Sequence, residues 1–387
     1  MKKKCLIIIP GIPYPPIDGH KLKIFNIIKI LSKHFELHIV TIASTGLSLE
    51  ESSFIKSHSY RNAHFKISKF TAFFRMVTGL FSKTPLQIKF FTLKSASRYL
   101  KADIDHYSFV FFNLVRTSAY LHLYKNNCTV FDMVDSLAIS YLRSRKKTSS
   151  LLHRAFYTLE AKRLLAYEKA TLSQVDVTLS VNYEEARLLG KYGKVSWIPN
   201  GVNPALFHYT ARDPAFLNCF AFFGTMYYQP NIDAVKWFDK YVLDFIDPRV
   251  KLYIIGARPT KEVQEIANRR SNIMVTGFLE DPYVILNSCF CVIAPMQTGG
   301  GIQNKVLETM ALGKVNVLTT YGAKPIKGAT TNEHFIVRDS PTLMAEVIND
   351  IYMFPNKYNI IGKNAKKLIL ENYTWAAYES SLLRHLS

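Results

Sequence analysis

Two kinds of hydrophobic pattern alternate along this chain. Short runs of apolar residues, bounded by glycine, proline, serine or asparagine, are followed by longer stretches in which apolar positions recur at helical spacing. A short bounded run is typical of a buried strand, and helical spacing is typical of an amphipathic helix that covers a sheet. Their alternation predicts an α/β protein built from parallel βαβ units.

The apolar runs fall into two sets. We expect strands of a first sheet at residues 5–10, 37–42, 109–113, 130–133 and 177–180, with helices at 21–35 and 152–174. A second sheet is predicted at residues 219–224, 251–256, 273–276, 289–294 and 316–319. Asn, Gly and Pro punctuate residues 200–204 between the two sets, so we expect the connection between two domains there.

Length and composition agree with two soluble domains. A chain of 387 residues is longer than one hydrophobic core usually serves. No apolar run is long enough for a spanning helix, and the run after the N-terminal lysines is too short for a signal peptide. The scattered cysteines fit neither a disulfide framework nor a metal site, which favours a reducing cytoplasm. They are Cys5, Cys128, Cys219, Cys289 and Cys291.

The net charge of +20 points to an anionic partner. Nucleic acid, anionic lipid and phosphorylated substrates are the candidates, and the absence of any nucleic-acid-binding motif disfavours the first. Residues 65–77 interleave basic side chains with phenylalanine. They predict either an amphipathic helix that rests on an anionic membrane or a core-facing helix whose lysines snorkel to solvent.

A glycine-rich segment carries the clearest candidate chemistry. Gly299, Gly300 and Gly301 follow a predicted strand and lead into a predicted helix that contains Lys305 and Glu308. Backbone N–H groups at such a helix start bind anions, so the pattern predicts a diphosphate site with Lys305 as cation. Glu308 could accept hydrogen bonds from ribose hydroxyls. Alternatively, Lys305 and Glu308 form an exposed ion pair across one helical turn.

Other cofactor motifs are missing from the sequence. Neither the dinucleotide fingerprint nor the P-loop pattern occurs. No Asp-x-Asp triplet or histidine cluster suggests a metal site. We therefore expect no cofactor and no metal.

The segment that reads Gly-Ile-Gln-Asn-Lys-Val-Leu-Glu, residues 301–308, resembles the donor-binding motif of one branch of glycosyltransferase family 4. The resemblance implies an α/β fold of the GT-B kind, with two Rossmann-like doubly wound parallel-sheet domains that face a central cleft. Residues 1–204 would form the acceptor-side domain and residues 205–370 the nucleotide-sugar domain. Residues 371–387 would form a helix that crosses back to the first domain.

The resemblance also implies a set of donor-binding residues. Most relatives carry a second glutamate that contacts the transferred sugar, where this chain has Gly300, so backbone groups would hold the sugar. An arginine and a lysine of many relatives are missing from the loop after Gly224, which leaves Lys305 and Arg258 to neutralise phosphate, although Arg258 could equally be a surface turn residue. The implied donor-binding set is Gly224, Arg258, Phe278, Leu279, Gly300, Gly301, Ile302, Asn304, Lys305 and Glu308; Phe278 and Leu279 could equally be core residues.

Two further segments of the first domain match the same resemblance. The loop with Asp18, Gly19, His20 and Lys21 would contact donor phosphate or acceptor hydroxyls, although Asp18 could be only a helix cap. Asp132 and Asp135 follow a predicted strand, where ligands of open α/β sheets bind. We expect Asp135 first and Asp132 second to position the acceptor hydroxyl, with Lys305 as the third catalytic residue; capping or a salt bridge would also explain either aspartate.

The predicted activity is that of a retaining glycosyltransferase of the hexosyltransferase type. The donor would be a UDP- or GDP-sugar, used without metal, and the acceptor a growing surface polysaccharide or polyprenyl-diphosphate-linked glycan such as lipopolysaccharide or capsule. We expect a cytoplasmic enzyme, peripheral on the inner leaflet of the membrane, that binds no nucleic acid. The alternatives are a non-catalytic glycosyltransferase-like subunit and a GT-B-fold nucleotide-sugar epimerase.

Overall fold

The chain forms two compact units. The computed structural model describes residues 2–16, 19–102, 107–148, 150–298 and 301–386, except for the side chains of residues 146 and 147. The first domain comprises Met1–Pro199 and the residues from Ser381 onward, and the second comprises Asn200–Ser380. Each domain is built around its own parallel sheet.

The first sheet has seven parallel strands in the order β3-β2-β1-β4-β5-β6-β7. The strands are β1 Lys4–Ile9, β2 Glu36–Ala43, β3 Arg61–Lys66, β4 Phe109–Asn113, β5 Cys128–Val134, β6 Val177–Ser180 and β7 Val195–Trp197. The central strands β1 and β4 are buried almost throughout because helices cover both faces of the sheet.

In the described part of the chain, the first domain contains nine α-helices. They are α1 Gly19–His34, α2 Leu49–Ser57, α3 Lys69–Leu80, α4 Leu86–Phe91, α5 Lys94–Lys101, α6 Leu114–Thr117, α7 Leu137–Lys147, α8 Leu151–Leu172 and α9 Tyr183–Leu189. Most have an apolar face on the sheet; α3 is an exception, because only Ala72 and Gly79 of it are buried.

The second sheet has six parallel strands in the order β10-β9-β8-β11-β12-β13. They are β8 Cys219–Phe223, β9 Lys251–Ile255, β10 Ile273–Gly277, β11 Cys291–Ala294, β12 Asn316–Leu318 and β13 Ile336–Val337. The helices around them are α10 Gln229–Tyr241, α11 Lys261–Arg269, α12 Tyr283–Ser288, α13 Asn304–Ala311, α14 Thr320–Ala323, α15 Pro341–Met353, α16 Pro355–Asn372 and α17 Trp375–Leu383.

The predicted α/β architecture with two parallel sheets is confirmed. Every predicted strand is present, with bounds that differ by a few residues. The strands β3, β7 and β13 were not predicted, because they lie at sheet edges and are either polar or very short. The prediction of one helix over residues 65–77 is wrong at its start, since Phe65 and Lys66 end β3 and the helix begins at Lys69.

Both sheets contain a point where the strand order reverses. In the first sheet this point lies between β1 and β4, and in the second between β8 and β11. The connections from two such strands leave to opposite sides of the sheet, which opens a crevice at their carboxyl ends. Ligands of open α/β sheets bind in that crevice, so the loops after these strands are the places to look for a site.

Candidate active site

The loop after β8 packs directly against the start of α13. Gly224 has φ +150°, and a Cβ atom added to it would lie 2.7 Å from Asn231 Nδ2 and 3.3 Å from Lys305 Cδ. A larger residue would therefore push both side chains away. Glycine lets the backbone approach α13 at the strand-order reversal of the second sheet.

Lys305 lies at this contact. Its ammonium donates a hydrogen bond to Asn231 Oδ1 at 2.6 Å and lies 4.3 Å from the centroid of the Phe222 ring. Burial lowers the pKa of Lys305 to about 7, because few polar groups replace the water lost by the ammonium. An anion that bound beside Lys305 would raise this pKa again.

The N-terminus of α13 adds to the positive potential here. The N-cap residue is Gln303, and among the described residues its side chain accepts no hydrogen bond from the N–H groups of the first turn. Gly301 precedes it with φ +86°, a left-handed conformation that suits glycine. The backbone N–H groups of a first turn without a side-chain cap, together with the helix dipole, make this end of α13 suitable for an anion. Gly300, also predicted to bind donor, lies outside the described residues.

Glu308 follows Lys305 on α13 but bonds to a different partner. The hydroxyl of Tyr283 donates to Glu308 Oε2 at 3.3 Å, whereas Lys305 bonds to Asn231. Burial raises the pKa of Glu308 to about 7. Since both side chains are partly buried with separate partners, they are not the exposed ion pair that the sequence left open as an alternative.

The other predicted donor-binding residues lie at the start of α13 or on loops of the same domain. Asn304 Oδ1 accepts a hydrogen bond from Asn200 Nδ2 at 3.1 Å, and Ile302 is half-buried. Arg258 is exposed, has φ +56° and stacks its guanidinium over the Tyr227 ring at 5.3 Å.

The turn that carries the predicted donor-binding residues Phe278 and Leu279 follows β10. Phe278 is 73% exposed, so it is not a core residue, while Leu279 is half-buried. Gly277, just before them, has φ +71° and turns the chain. An exposed aromatic ring at a strand's carboxyl end is available for stacking on a ligand.

In the first domain, a buried polar network joins β4, β5 and α1. Asp132 is ion-paired with Lys23, and both side chains are almost completely buried. Asn113 Nδ2 donates to Asp132 Oδ2 at 3.0 Å, and Asn113 Oδ1 lies 3.0 Å from His20 Nε2. Asp132 is thus occupied by protein partners, and the network links it to His20 at the start of α1.

Asp135 differs from Asp132 in having an oxygen available. Its Oδ1 atom is buried and has no hydrogen-bond partner among the described residues. Burial and the nearby Glu185 raise the pKa of Asp135 to about 7, against the opposing effect of Lys23. Val134 before it has φ +63°, a strained conformation for a β-branched residue that aims the turn after β5.

Two glutamates that the sequence did not assign to the site hold this turn. Glu185 accepts the N–H of Ser136 at 2.8 Å and pairs with Arg143 at 3.0 Å. Glu168 accepts the Ser136 hydroxyl at 2.6 Å and the N–H of Ala138 at 3.1 Å. Burial raises the pKa of Glu168 to about 7 and raises that of Glu185. These contacts join residues 30 to 49 positions apart, so no local pattern in the sequence indicates either glutamate.

The remaining predicted residues of the first domain lie at the start of α1. Gly19 is its first residue and is exposed, Lys21 is partly buried, and Asp18 lies outside the described residues. Elsewhere in this domain, Arg163 forms an ion pair with Glu160 at 2.9 Å. Within the described ranges, no three His, Cys, Asp or Glu side chains cluster as a metal site would require.

The second domain also matches a known sequence family. Residues 218–353 match the family model of glycosyl transferases group 1. This segment spans β8 to the end of α15 and includes Gly224, Lys305 and Glu308. No curated protein matches the chain.

Solved structures resemble the whole chain in fold. Sucrose-phosphate synthase from Thermosynechococcus elongatus superposes with a TM-score of 0.70 at 14% identity, covering 99% of this chain and 98% of that one. Anabaena Alr3699/HepE in complex with UDP has a TM-score of 0.69 at 12% identity over 100% and 99% of the two chains. TarM from S. aureus superposes with a TM-score of 0.68 at 11% identity, covering 100% of this chain and 99% of that one. The fold of this chain is therefore GT-B.

Proposed function

We propose a donor and an acceptor for this chain, which is a glycosyltransferase with the GT-B fold. It transfers a sugar, with retention of anomeric configuration, from a UDP- or GDP-sugar to a growing surface polysaccharide or lipid-linked glycan. We propose lipopolysaccharide or capsule as the product. The first domain carries the acceptor side and the second the donor side.

One observation carries the donor side of the proposal. The ammonium of Lys305, the uncapped first turn of α13 and the close approach of Gly224 converge at the strand-order reversal of the second sheet. Together they suit a diphosphate. Glu308 lies one helical turn further on and suits the adjoining ribose. Anabaena HepE, which has the same fold, forms complexes with UDP and with UDP-glucose.

The same groups would stabilise the leaving diphosphate. Preorganised N–H groups and a cation lower the energy of negative charge that develops in the transition state. Lys305 and the helix dipole would supply this charge without a divalent metal. Retention then follows if the acceptor hydroxyl attacks on the face from which the diphosphate departs, which requires orientation of both substrates rather than a protein nucleophile.

Asp135 is the residue we assign to the acceptor. Its buried Oδ1 has no protein partner among the described residues and can accept a hydrogen bond from a sugar hydroxyl. Asp132, which was predicted as the second choice for this role, would instead stabilise the loop, because Lys23 and Asn113 occupy its carboxylate.

Helix α3 supports a peripheral position on the inner leaflet. It exposes Phe70, Phe73 and Phe74 by 72%, 63% and 52%, and Lys66 and Lys69 are exposed beside them. An aromatic face next to lysines fits an anionic lipid surface, as does the net charge of +20. None of the described helices is both long and apolar enough to span a bilayer.

Donor binding and transfer can be tested together. Calorimetry with UDP-, GDP- and ADP-sugars should find one that binds, and NMR of the product on a polyprenyl-diphosphate glycan should show the donor's anomeric configuration. Activity should persist in EDTA. Binding without transfer to any acceptor would favour the non-catalytic subunit, and inversion or a metal requirement would contradict the mechanism.

Membrane contact needs a separate experiment. Changing Phe70, Phe73 and Phe74 to serine should reduce flotation with vesicles that contain phosphatidylglycerol, while leaving activity on a water-soluble acceptor unchanged. Serine at Phe245 and Phe354, which are exposed to a similar degree in the second domain, is the matched control. Equal flotation of both variants would contradict a membrane role for α3.

A further inference from the structure

Glu308 has a specific neighbour that the sequence did not connect with it. Tyr283 begins α12, and its hydroxyl donates to Glu308 Oε2 at 3.3 Å. Burial and the negative charge of Glu308 raise the pKa of Tyr283, so its hydroxyl keeps its proton and can act only as a donor toward the carboxylate. One oxygen of Glu308 is therefore engaged by protein, while the other has no hydrogen bond from a protein group among the described residues and is available to a ligand.

The protein holds Tyr283 in place from several sides. Asp281 accepts the N–H of Tyr283 at 3.0 Å through Oδ1, and the Tyr209 hydroxyl at 2.6 Å through Oδ2. The ring of Tyr283 packs edge-on against Tyr209 and Phe223, with centroids 5.9 and 6.2 Å away. Phe223 is the last residue of β8, next to Gly224. A side chain braced in this way has little freedom to turn its hydroxyl elsewhere.

A braced donor matters because a carboxylate on a helix can rotate. The two hydroxyls of a ribose donate hydrogen bonds in a fixed geometry, whereas a 2′-deoxyribose has only one of them. A carboxylate discriminates between the two sugars only if the plane of the carboxylate is held in one orientation. A site built to hydrogen-bond a hydroxyl rejects the analogue that lacks it, since its polar group is left without a partner. Tyr283 supplies the constraint that would make Glu308 such a site.

We propose that Tyr283 is a positioning residue that orients the Glu308 carboxylate and so makes the donor site select ribonucleotides over deoxyribonucleotides. The inference rests on the proposed function, because it assigns Glu308 to the ribose. It adds a residue of α12 to the donor site and gives the hydrogen bond between Tyr283 and Glu308 a role in specificity.

The test compares ribose with deoxyribose in matched variants. Dissociation constants of UDP, GDP and ADP and of their 2′-deoxy analogues are measured by calorimetry for the wild type, Tyr283→Phe and Tyr253→Phe. We expect the wild type to prefer the ribonucleotide about tenfold and Tyr283→Phe to lose most of this preference through weaker ribonucleotide binding. Tyr253→Phe deletes a hydroxyl in β9, away from Glu308, and should keep the wild-type preference.

A double-mutant cycle separates positioning from general damage. If Tyr283 acts through Glu308, then Tyr283→Phe should have little further effect on nucleotide binding in a Glu308→Gln background. Additive effects, or an equal loss of ribo- and deoxyribonucleotide binding in Tyr283→Phe, would overturn the inference. Failure of the wild type to bind any of the three diphosphates would instead overturn the proposed function.

Discussion

Two places beside the carboxyl ends of parallel strands present side chains of opposite kinds, one basic and the other acidic. The N-terminal turn of α13, which packs against the loop after β8, presents Lys305 and backbone N–H groups, whereas the turn after β5 presents Asp135 and is held by Glu168 and Glu185. Related sheets thus place a cationic site in one domain and an acidic site in the other. A diphosphate requires the first kind of site and a sugar hydroxyl suits the second.

The same physical cause acts on both loops. Burial disfavours the charged form of any group, so it lowers the pKa of Lys305 and raises the pKa of Asp135, in each case to about 7. Each group would regain its charge when a partner of the right kind arrives. The fold thus supplies the burial in both places, while the residue present there, lysine or aspartate, decides the direction in which the pKa shifts.

The cationic site should be the more sensitive to loss of its charge. Replacing Lys305 by methionine should lower kcat/KM about 10²- to 10³-fold, the range seen when a group that stabilises developing negative charge is removed. Steady-state kinetics with the donor sugar measure this. Lys236→Met, at an exposed lysine that pairs with Glu262, is the control and should behave as wild type. Equal losses in the two variants would remove Lys305 from the site.

The acidic site should affect transfer rather than donor binding. Asp135→Asn keeps the shape of the side chain but cannot carry the negative charge, so kcat should fall about 100-fold, as expected for a group that receives a proton or orients a hydroxyl. The dissociation constant of the donor should stay unchanged in calorimetry. A variant that binds donor poorly but transfers at the normal rate would reverse the assignment of the two loops.

A substitution at Gly224 tests how closely the two parts of the cationic site must pack. Alanine there would have φ +150° and a Cβ 2.7 Å from Asn231 Nδ2, so donor affinity should fall roughly tenfold, equivalent to about 1.4 kcal/mol. The control is Gly46→Ala, where an added Cβ meets nothing within 4 Å. Unchanged affinity in Gly224→Ala would show that the close approach is dispensable.

Within one pH unit of neutrality, the smallest effect we expect is the pH dependence of donor affinity. Above about pH 7 free Lys305 is neutral and must take up a proton to bind a diphosphate, so affinity should fall by at most about tenfold for each pH unit. Below about pH 7 Glu308 is protonated and is a weaker acceptor for the two ribose hydroxyls, so affinity should fall again. Binding of a nucleotide-sugar should therefore be strongest near pH 7.

An arginine variant checks which group causes the alkaline decrease. Arginine stays charged throughout this range, so Lys305→Arg should bind the nucleotide-sugar with no loss above pH 7. Calorimetry in buffers of different ionisation enthalpy should also detect proton uptake by the wild type but not by this variant. An alkaline decrease that persists in Lys305→Arg would point to another group.

The positions of the core strands were predictable from the sequence. A strand buried on both faces must be apolar along its length, as β4 is, and such a run is visible without any tertiary information. The glycine-rich segment before α13 was recognisable for a similar reason, because the start of a helix and its charged residues are local features. Edge strands such as β3 and β13 lack this signal, since solvent covers one side of them.

The sequence by itself therefore determined the α/β class, the two sheets and the helix that carries Lys305 and Glu308. Only the tertiary structure decided which side chains meet there: Lys305 bonds to Asn231, 74 residues away, and Lys23 pairs with Asp132 across 109 residues. Periodicity reports the face on which a residue lies but not its partner. Partners depend on strand order, and the burial that shifts the pKa values of Lys305 and Asp135 exists only once the sheets and helices have packed.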